Sequence, residues 1–529
     1  MRRLAGCLAA CALVACFERG GKQPPAGKDA DVTAAAPPSA LADAVVPGDG
    51  GWLVREPDGV ADEAATVSVA LEAEPATLDV FRGADLASAR VLGDVYEGLL
   101  CAAPGAAPEP CLATRYEVSA DELTWRVWLR PGVRFHDGSA LAAKDVIASF
   151  HAPGKGATAT GPLAAVLDDL VAVTSPAPGE IELRFATARS TRARDLTMVP
   201  IAPAAAIRGG SLATTPVGTG PLRFVAWARG ASITLERWDG YWGARARAAR
   251  VIHRVVADRA EALRLVAAGE LDVALQIPIT EAIAAAKGGV VRFRYEQPAF
   301  LAAIYNARRP ALSSPSVRRG LTALLDRPGI ARVILGGARV PSGPWPPGSA
   351  EADPAVRPVP FDRALAANLL GTARPDVELL VPQGSTSSAR IADVWAADAR
   401  GLATLRVVSV PFAELLGRLA AGDFDVAITS MSGGPDVDLW SRLASGAPPS
   451  EAWCGLADPG LDALLDVHRG MLKPEARAAA ARAVHRRIDE LQPMAFIAVD
   501  TRAGVARAGI GGVVGGVPPR MRDLSKRGP

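Results

Sequence analysis

Side chains that could do chemistry are sparse in this chain. The five histidines are His136, His151, His253, His468 and His485, and none stands beside another His, Cys or carboxylate at metal-ligand spacing. Neither a G-x-S-x-G nucleophile turn nor an H-E-x-x-H helix occurs. Gly154-Lys155-Gly156 has the composition of a phosphate loop, but the upstream glycine and the Ser or Thr after the lysine are missing. Two carboxylate pairs, Glu72 with Glu74 and Asp168 with Asp169, read as solvated loop or helix faces. The expectation is a protein with no catalytic residue, no metal and no cofactor, and hence not an enzyme.

The cysteines point to the compartment. Three of the six, Cys7, Cys11 and Cys16, fall in an N-terminal segment with Arg2 and Arg3 followed by an apolar stretch from Leu4 to Ala15. That stretch is too short to span a bilayer, which takes about 20 residues. It ends in Leu13-Val14-Ala15-Cys16, which resembles a bacterial lipoprotein cleavage box, so Cys16 is the expected site of lipidation. An ordinary secretory signal, with Cys16 incidental, is the alternative. Cys101 and Cys111 flank a Pro/Gly-rich loop and can meet across a hairpin, as a disulfide in an oxidising compartment or as two separate buried thiols. Cys454 has no evident partner. With 58 Lys+Arg against 56 Asp+Glu and no basic run, nucleic acid is not an expected partner.

The elements that would position a site begin after a long low-complexity stretch. Residues 17–65 are rich in Ala, Gly, Pro and Asp, carry no periodic apolar pattern, and read as a tether. Val67, Val69 and Leu71 then alternate as a strand, residues 87–100 read as a helix, and Leu141 to Phe150 as another. Thr124 to Phe135 reads as two short strands around a Pro-Gly turn. Strands and helices alternate regularly from Pro375 to Met431, Pro474 to Leu491 is a long amphipathic helix, and Ala495 to Val499 is a late strand able to return to the first lobe's sheet. An internal echo stands out. RLVAAGELDVA (Arg264 to Ala274) and RLAAGDFDVA (Arg418 to Ala427) each read as a helix end, a left-handed glycine, an acidic residue and a strand. Asp258 and Glu261 are spaced as a capping box for the first of these helices. The pattern predicts two α/β lobes.

Five stretches carry a family resemblance. They are EPATLDV followed by a segment ending VYEGLL (Glu74 to Leu100), LRPGVRFHDGSALAAKDVIASF (Leu129 to Phe150), PVGTGPLRFVAWARGASITLERWDGYWG (Pro216 to Gly243), IYNARRPALSSPSVRRGLTALLDRPGI (Ile304 to Ile330) and Leu461 to Val499. In this order they resemble the family 5 extracellular solute-binding proteins, the peptide- and nickel-binding receptors of ABC importers. The resemblance spans roughly Thr66 to Leu524. It implies an α/β fold of the type II periplasmic binding protein kind, with two hinged lobes and an extra α+β domain inserted in the first. The implied layout is a signal peptide at 1–16, a tether at 17–65, lobe I at 66–100, 197–293 and 490–529, the inserted domain at 101–196, and lobe II at 294–489.

The implied function is capture of a short peptide or peptide-like solute between closing lobes. Delivery would be to an ABC permease in the inner membrane, from a periplasmic or cell-envelope position held by the lipid anchor, with the protein a monomer. A non-transport receptor or sensor partner, or a binder of a sugar or metal complex, is the alternative. The His-Asp-Gly turn, Lys144-Asp145, the glycines of GTGPLRF, and Trp238, Tyr241 and Trp242 read as fold determinants. In peptide-binding members an Asp that follows a Trp anchors the peptide's amino group. Here Met431 stands at the Trp position and Gly434 at the Asp position, leaving Asp436 or Asp438 to take the role if the loop is shifted. A buried ammonium left unpaired would cost about 3–5 kcal/mol, so either the loop compensates or the solute lacks that amine. By position alone, Ser430, Met431 and Ser432 at a strand end, Tyr305 and Asn306 at another, and Glu74 and Leu78 after the first strand complete the candidate contacts.

Overall fold

The computed structural model describes residues 52–53, 60–83, 85–102, 108–154, 163–433, 437, 439–448, 450–471, 473–513 and 518–527. Cys16, the signal segment and residues 17–51 lie outside the described residues. Asp436 and Asp438 do so as well. The chain divides into two compact units: Glu296–Thr501 form unit 2, and the described residues before Glu296 and from Arg502 onward form unit 1.

Unit 1 is built on β1 (Thr66–Leu71), whose alternating burial puts Val67, Val69 and Leu71 in the core. A helix, α1 (Leu86–Leu92), follows, capped by Asp85, whose carboxylate accepts from Ser88 N. A separate antiparallel sheet comprises β2 (Ala113–Val118), β3 (Thr124–Leu129), β4 (Leu170–Thr174) and β5 (Glu180–Phe185), in the order β2-β3-β5-β4. Between β3 and β4 lies α2 (Ala143–His151). The main sheet continues with the meander β6 (Leu222–Ala228), β7 (Ser232–Arg237) and β8 (Arg250–Val255), then α3 (Arg259–Ala268) and β9 (Val273–Ile277). β1 runs parallel to both β8 and β9. The core of this unit includes Val69, Leu71, Val91, Leu222, Val251 and Phe293.

Strand β10 (Val290–Tyr305) carries the chain into unit 2. There β11 (Asp376–Pro382), α4 (Thr386–Ala399), β12 (Thr404–Val410), α5 (Phe412–Ala421) and β13 (Val426–Ser432) alternate. β11 pairs in parallel with β12 and β13, and β10 pairs antiparallel with β13. α6 (Pro459–Arg469) and α7 (Pro474–Leu491) follow, and β14 (Met494–Arg507) carries the chain back. Val377, Leu379, Ile391, Trp395, Val426 and Ile428 are among its core residues.

Several expectations change. The helix of residues 87–100 stops at Leu92, and Leu100 already belongs to a short strand. The carbonyls that would have extended it accept from elsewhere: Asp94 O from Leu222 N, Val95 O from Gly220 N, and Glu97 O from Ile201 N. Of the two strands around Pro131-Gly132 only β3 forms, the second being reduced to a bridge between Arg134 and Ala140. Trp52, Leu53 and residues 60–65, placed in the tether from sequence, are ordered parts of unit 1. Trp52 bridges to Arg292 and lies under the guanidinium groups of Arg292 and Arg294, and Ala61 bridges to Arg527. Residues 490–501, assigned to lobe I, fall in unit 2, while Ala503 to Ala506 of the same strand pair with β9 in unit 1. Cys101 and Cys111 form a disulfide, with Cα atoms 5.3 Å apart, and Cys454 is free and buried.

Candidate functional site

The most distinctive sequence motif builds a hub inside unit 1. Glu97, which is buried, accepts from Tyr241 OH at 2.6 Å, from Trp242 Nε1 at 2.8 Å and from Thr219 Oγ1 at 3.0 Å. Burial pushes its carboxyl above the usual range, and these three donors partly offset the rise. Cys111 Sγ lies 3.8 Å from Glu97 Oε1, so the disulfide lies against the hub. Glu97, Cys101 and Cys111 have the spacing of a metal cluster, but both sulfurs are spent in the disulfide. The glycines of Pro216–Phe224 permit the approach of two backbones: a Cβ on Gly218 would fall 2.0 Å from Val95 O, and one on Gly220 2.3 Å from Asp94 O. His136 bridges the same turn, with Nε2 2.9 Å from Gly220 O and Nδ1 accepting from Gly218 N at 3.4 Å. Burial lowers this imidazole to about 4, which keeps it neutral for that bridge. Asp145 accepts from Ala142 N and Ala204 N. Each of these contacts ties one segment of unit 1 to another.

In unit 2 the carboxyl end of β13 has a different character. Burial falls along the strand, from the fully enclosed Val426 to the half-buried Ser430 and the exposed Ser432. Register with β10 places Met431 beside Phe300 and Ser432 beside Ala299. Gly433 N then donates to Pro298 O at 2.9 Å. Around this end lies a shallow niche with room for little more than a water molecule, with Phe300, Pro341, Pro344, Trp345, Gly433 and Val499 in its wall. No lining residue carries a charge. On the flanking segments Glu296 and Arg339 pair through two bonds of 2.8 and 2.6 Å, and the buried Asp500 directly follows Val499.

Trp345 is held edge-on between two imidazoles, His468 at 5.9 Å and His485 at 5.8 Å between ring centroids. His485 is fixed by Asp353 N, which donates to Nδ1 at 2.9 Å, and burial lowers its pKa, so the ring stays uncharged. The Trp345 indole is 1% exposed, and its N–H has no hydrogen-bond partner. A lone buried donor of this kind is costly unless an acceptor reaches it.

The residues expected at the site separate sharply. Ser430, Met431 and Ser432 end β13 beside this niche. Tyr305 is wholly buried, its hydroxyl 2.9 Å from Thr322 Oγ1 and its ring against Trp395. Asn306 is also wholly buried, with its amide donating to Gly422 O and Phe424 O and its carbonyl accepting from Arg308 N. Leu78 lies in the unit 1 core at 0% exposure. These three have no surface to offer a solute, because each side chain points inward. Glu74 is exposed, yet its carboxylate clamps the β6–β7 turn by accepting from Trp227 Nε1 and Gly230 N. Phe300 and Trp345 were not singled out from sequence. A lone Trp in a Pro/Gly-rich loop carries no periodic signal, and only the fold brings it to β13.

The fold has known counterparts. The family model described as bacterial extracellular solute-binding proteins, family 5 Middle, matches residues 107–448. The glutathione-binding protein GsiB of Pectobacterium atrosepticum is 29% identical over 343 residues, a match covering 61% of this chain and 65% of that protein, just under two thirds of its length. The probable di/tripeptide-binding protein 5 of Pseudomonas aeruginosa is 26% identical over 479 residues, covering 81% of this chain and 89% of that one. Among solved structures, the periplasmic binding protein DppA of Helicobacter pylori, in complex with the peptide STSA, superposes with a TM-score of 0.72 at 19% identity. That superposition covers 88% of this chain and 98% of that one, and establishes the type II periplasmic binding protein fold. The chain therefore belongs to the bacterial extracellular solute-binding proteins of family 5.

Proposed function

We propose that this protein captures a short peptide or peptide-like solute outside the cytoplasm and delivers it to the permease of an ABC importer in the inner membrane. Capture occurs by closure of two lobes, without chemical change to the solute. The protein acts as a monomer tethered through lipid on Cys16, and Ser430, Met431 and Ser432 contribute to the solute site. The observation that carries this reading is that the relatives matched at 29% and 26% identity are named for glutathione and for di/tripeptides, both peptides. The exposed carboxyl end of β13 in unit 2 supports it, since solutes in open α/β folds bind beyond the carboxyl ends of strands.

The test is to purify the full protein from membranes, denature it, and identify the released solute by mass spectrometry. Peptides or γ-linked peptide analogues are expected. A sugar or a metal complex as the sole released species would overturn the choice of solute. Replacing Cys16 with Ser should move the protein from the membrane fraction to the soluble fraction. Continued membrane association of Cys16→Ser would remove the anchor from this scheme.

A further inference from the structure

We infer that Glu97, Cys101 and Cys111 form a binding site for zinc ion in the reduced protein, where the ion takes over the link that the disulfide makes in the oxidised one. The site lies within unit 1 and does not depend on which solute the protein carries.

Charge comes first. Glu97 is buried, and its three donors are a phenol, an indole and a hydroxyl, none of them charged. Buried carboxylates are ordinarily paired with a cation or bound to a metal. Two guanidinium groups stay at one remove. Arg522 Nη1 lies 3.5 Å from the Tyr241 hydroxyl, and Arg130 lies over the Trp242 ring at 4.3 Å while its Nε donates to Cys111 O. Two thiolates and a carboxylate around a divalent ion leave a single negative charge, and these guanidinium groups flank the cluster that carries it.

Geometry comes second. One ligand atom from each of the three residues lies within 4.8 Å of the others. A tetrahedral zinc, with bonds of about 2.3 Å to sulfur and about 2.1 Å to oxygen, sets a sulfur and an oxygen about 3.6 Å apart. Cys111 Sγ and Glu97 Oε1 already stand at 3.8 Å. The Cα atoms of the two cysteines, 5.3 Å apart, are close enough for both sulfurs to reach one ion. The carboxylate is also oriented as a ligand. Oε2 is filled by Trp242 and Thr219, whereas Oε1 accepts only from Tyr241 and keeps a lone pair beside Cys111 Sγ. Donors behind a ligating carboxylate hold its orientation and tune the metal. Cys101 is half-buried, which gives the ion an approach, and water completes the fourth position.

The chemistry balances in two steps. A dithiol reductant is oxidised to its own disulfide as the Cys101–Cys111 bond becomes two thiols. Zinc then displaces both thiol protons as two Zn–S bonds form.

In the test, the full protein is reduced with dithiothreitol, freed of it without air, and titrated with zinc chloride. Cadmium chloride serves as a second probe, read by the thiolate-to-metal charge-transfer band in the ultraviolet. About one ion per chain is expected, with release of protons and an affinity at least about a hundredfold above that of the oxidised protein. Zinc should raise the melting temperature of the reduced protein and leave that of the oxidised protein unchanged. Cys101→Ser should abolish the band, and a band that persists at full strength comes from other cysteines and overturns the site. Tyr241→Phe removes a donor behind Glu97 and should weaken zinc about tenfold, and Glu97→Gln should weaken it further. Circular dichroism checks that each variant folds. Zinc binding by Glu97→Gln as tight as wild type overturns the three-residue site. So does a reduced protein that takes up no zinc or gains no thermal stability from it.

Discussion

The two units repeat one corner and support it by different means. In unit 1, α3 ends at Gly269 (φ +78°), and Asp272 precedes β9. In unit 2, α5 ends at Gly422 (φ +69°), and Asp425 precedes β13. In both, the aspartate carboxylate accepts from a backbone N–H of a parallel strand: Asp272 from Ser68 of β1 at 2.7 Å, Asp425 from Glu378 of β11 at 2.9 Å. In both, the aspartate carbonyl accepts from the antiparallel neighbour, Arg507 N for Asp272 and Asn306 N for Asp425. Even the glycine carbonyls are matched, by Arg507 Nη1 at 3.2 Å in unit 1 and Asn306 Nδ2 at 3.0 Å in unit 2.

The difference lies in charge and burial. The Asp272 side chain is 4% exposed and is also bound by Ser68 Oγ and Lys526, with Arg507 3.6 Å away. Asp425 is 23% exposed and has one further partner, Arg309. The same local sequence thus makes a buried ionic node in one unit and a lighter, partly solvated one in the other. A short string determines the hydrogen-bond pattern, and the chain that arrives next to it determines the energy.

Replacing each aspartate is the sharpest way to break this comparison. Asp272→Ala leaves two cations and the Ser68 N–H without their acceptor and should cost about 3 kcal/mol in denaturant unfolding. Asp425→Ala should cost about 1 kcal/mol. Equal losses would mean that the two corners are energetically alike, whatever their partners.

Acidity should separate the units next. His253 in β8 is wholly buried, with neither ring nitrogen hydrogen-bonded, and burial with the nearby Arg90 charge lowers its pKa to about 3. Its folded value lies below the unfolded 6.5, so its contribution is complete above about pH 6.5 and is lost as pH falls toward 3. Between pH 7 and 5 unit 1 should lose about 2 kcal/mol, and His253→Phe should remove that sensitivity. Asp398 in unit 2 has the opposite sign. Burial, and then the Asp326 charge, raise it to about 6 from 3.8, so its contribution is complete below about 3.8 and disappears as pH rises through 6. Asp398→Asn should therefore stabilise the protein by about 1–2 kcal/mol at pH 8 and by nothing measurable at pH 4. A stability profile for Asp398→Asn parallel to wild type over this range would show that the carboxyl is not held protonated.

The smallest expected effect concerns the corner glycines. Gly269→Ala and Gly422→Ala each place a Cβ on a left-handed residue and should cost about 1 kcal/mol. Unequal costs would point to Arg507, whose guanidinium lies 3.4 Å from a Cβ on Gly269, where a Cβ on Gly422 meets nothing nearer than 3.7 Å.

The corners, the α/β alternation of unit 2 and the helix Pro474–Leu491 were legible because their signals are local: a capping carboxylate, a glycine one residue past a helix, a proline at its first turn. The solute contacts were less so. Tyr305 and Asn306 end a strand, as expected, but the strand ends against other secondary structure rather than in the open. Glu74 has the right loop position and spends its carboxylate on a neighbouring turn. The Glu97 hub could not be read at all, since it joins a loop at 97 to donors at 219, 241 and 242, and no periodicity links such positions.

By itself the amino-acid order determined where helices start and stop, which strands alternate, and that the same corner occurs twice. These follow from backbone geometry and hydrogen bonds within a few residues. Only the tertiary structure decided which carboxylates are buried, which aromatic rings flank β13, and which unit weakens in acid. Burial and charge pairing depend on atoms brought together from distant parts of the chain, and those set the desolvation that the local pattern does not contain.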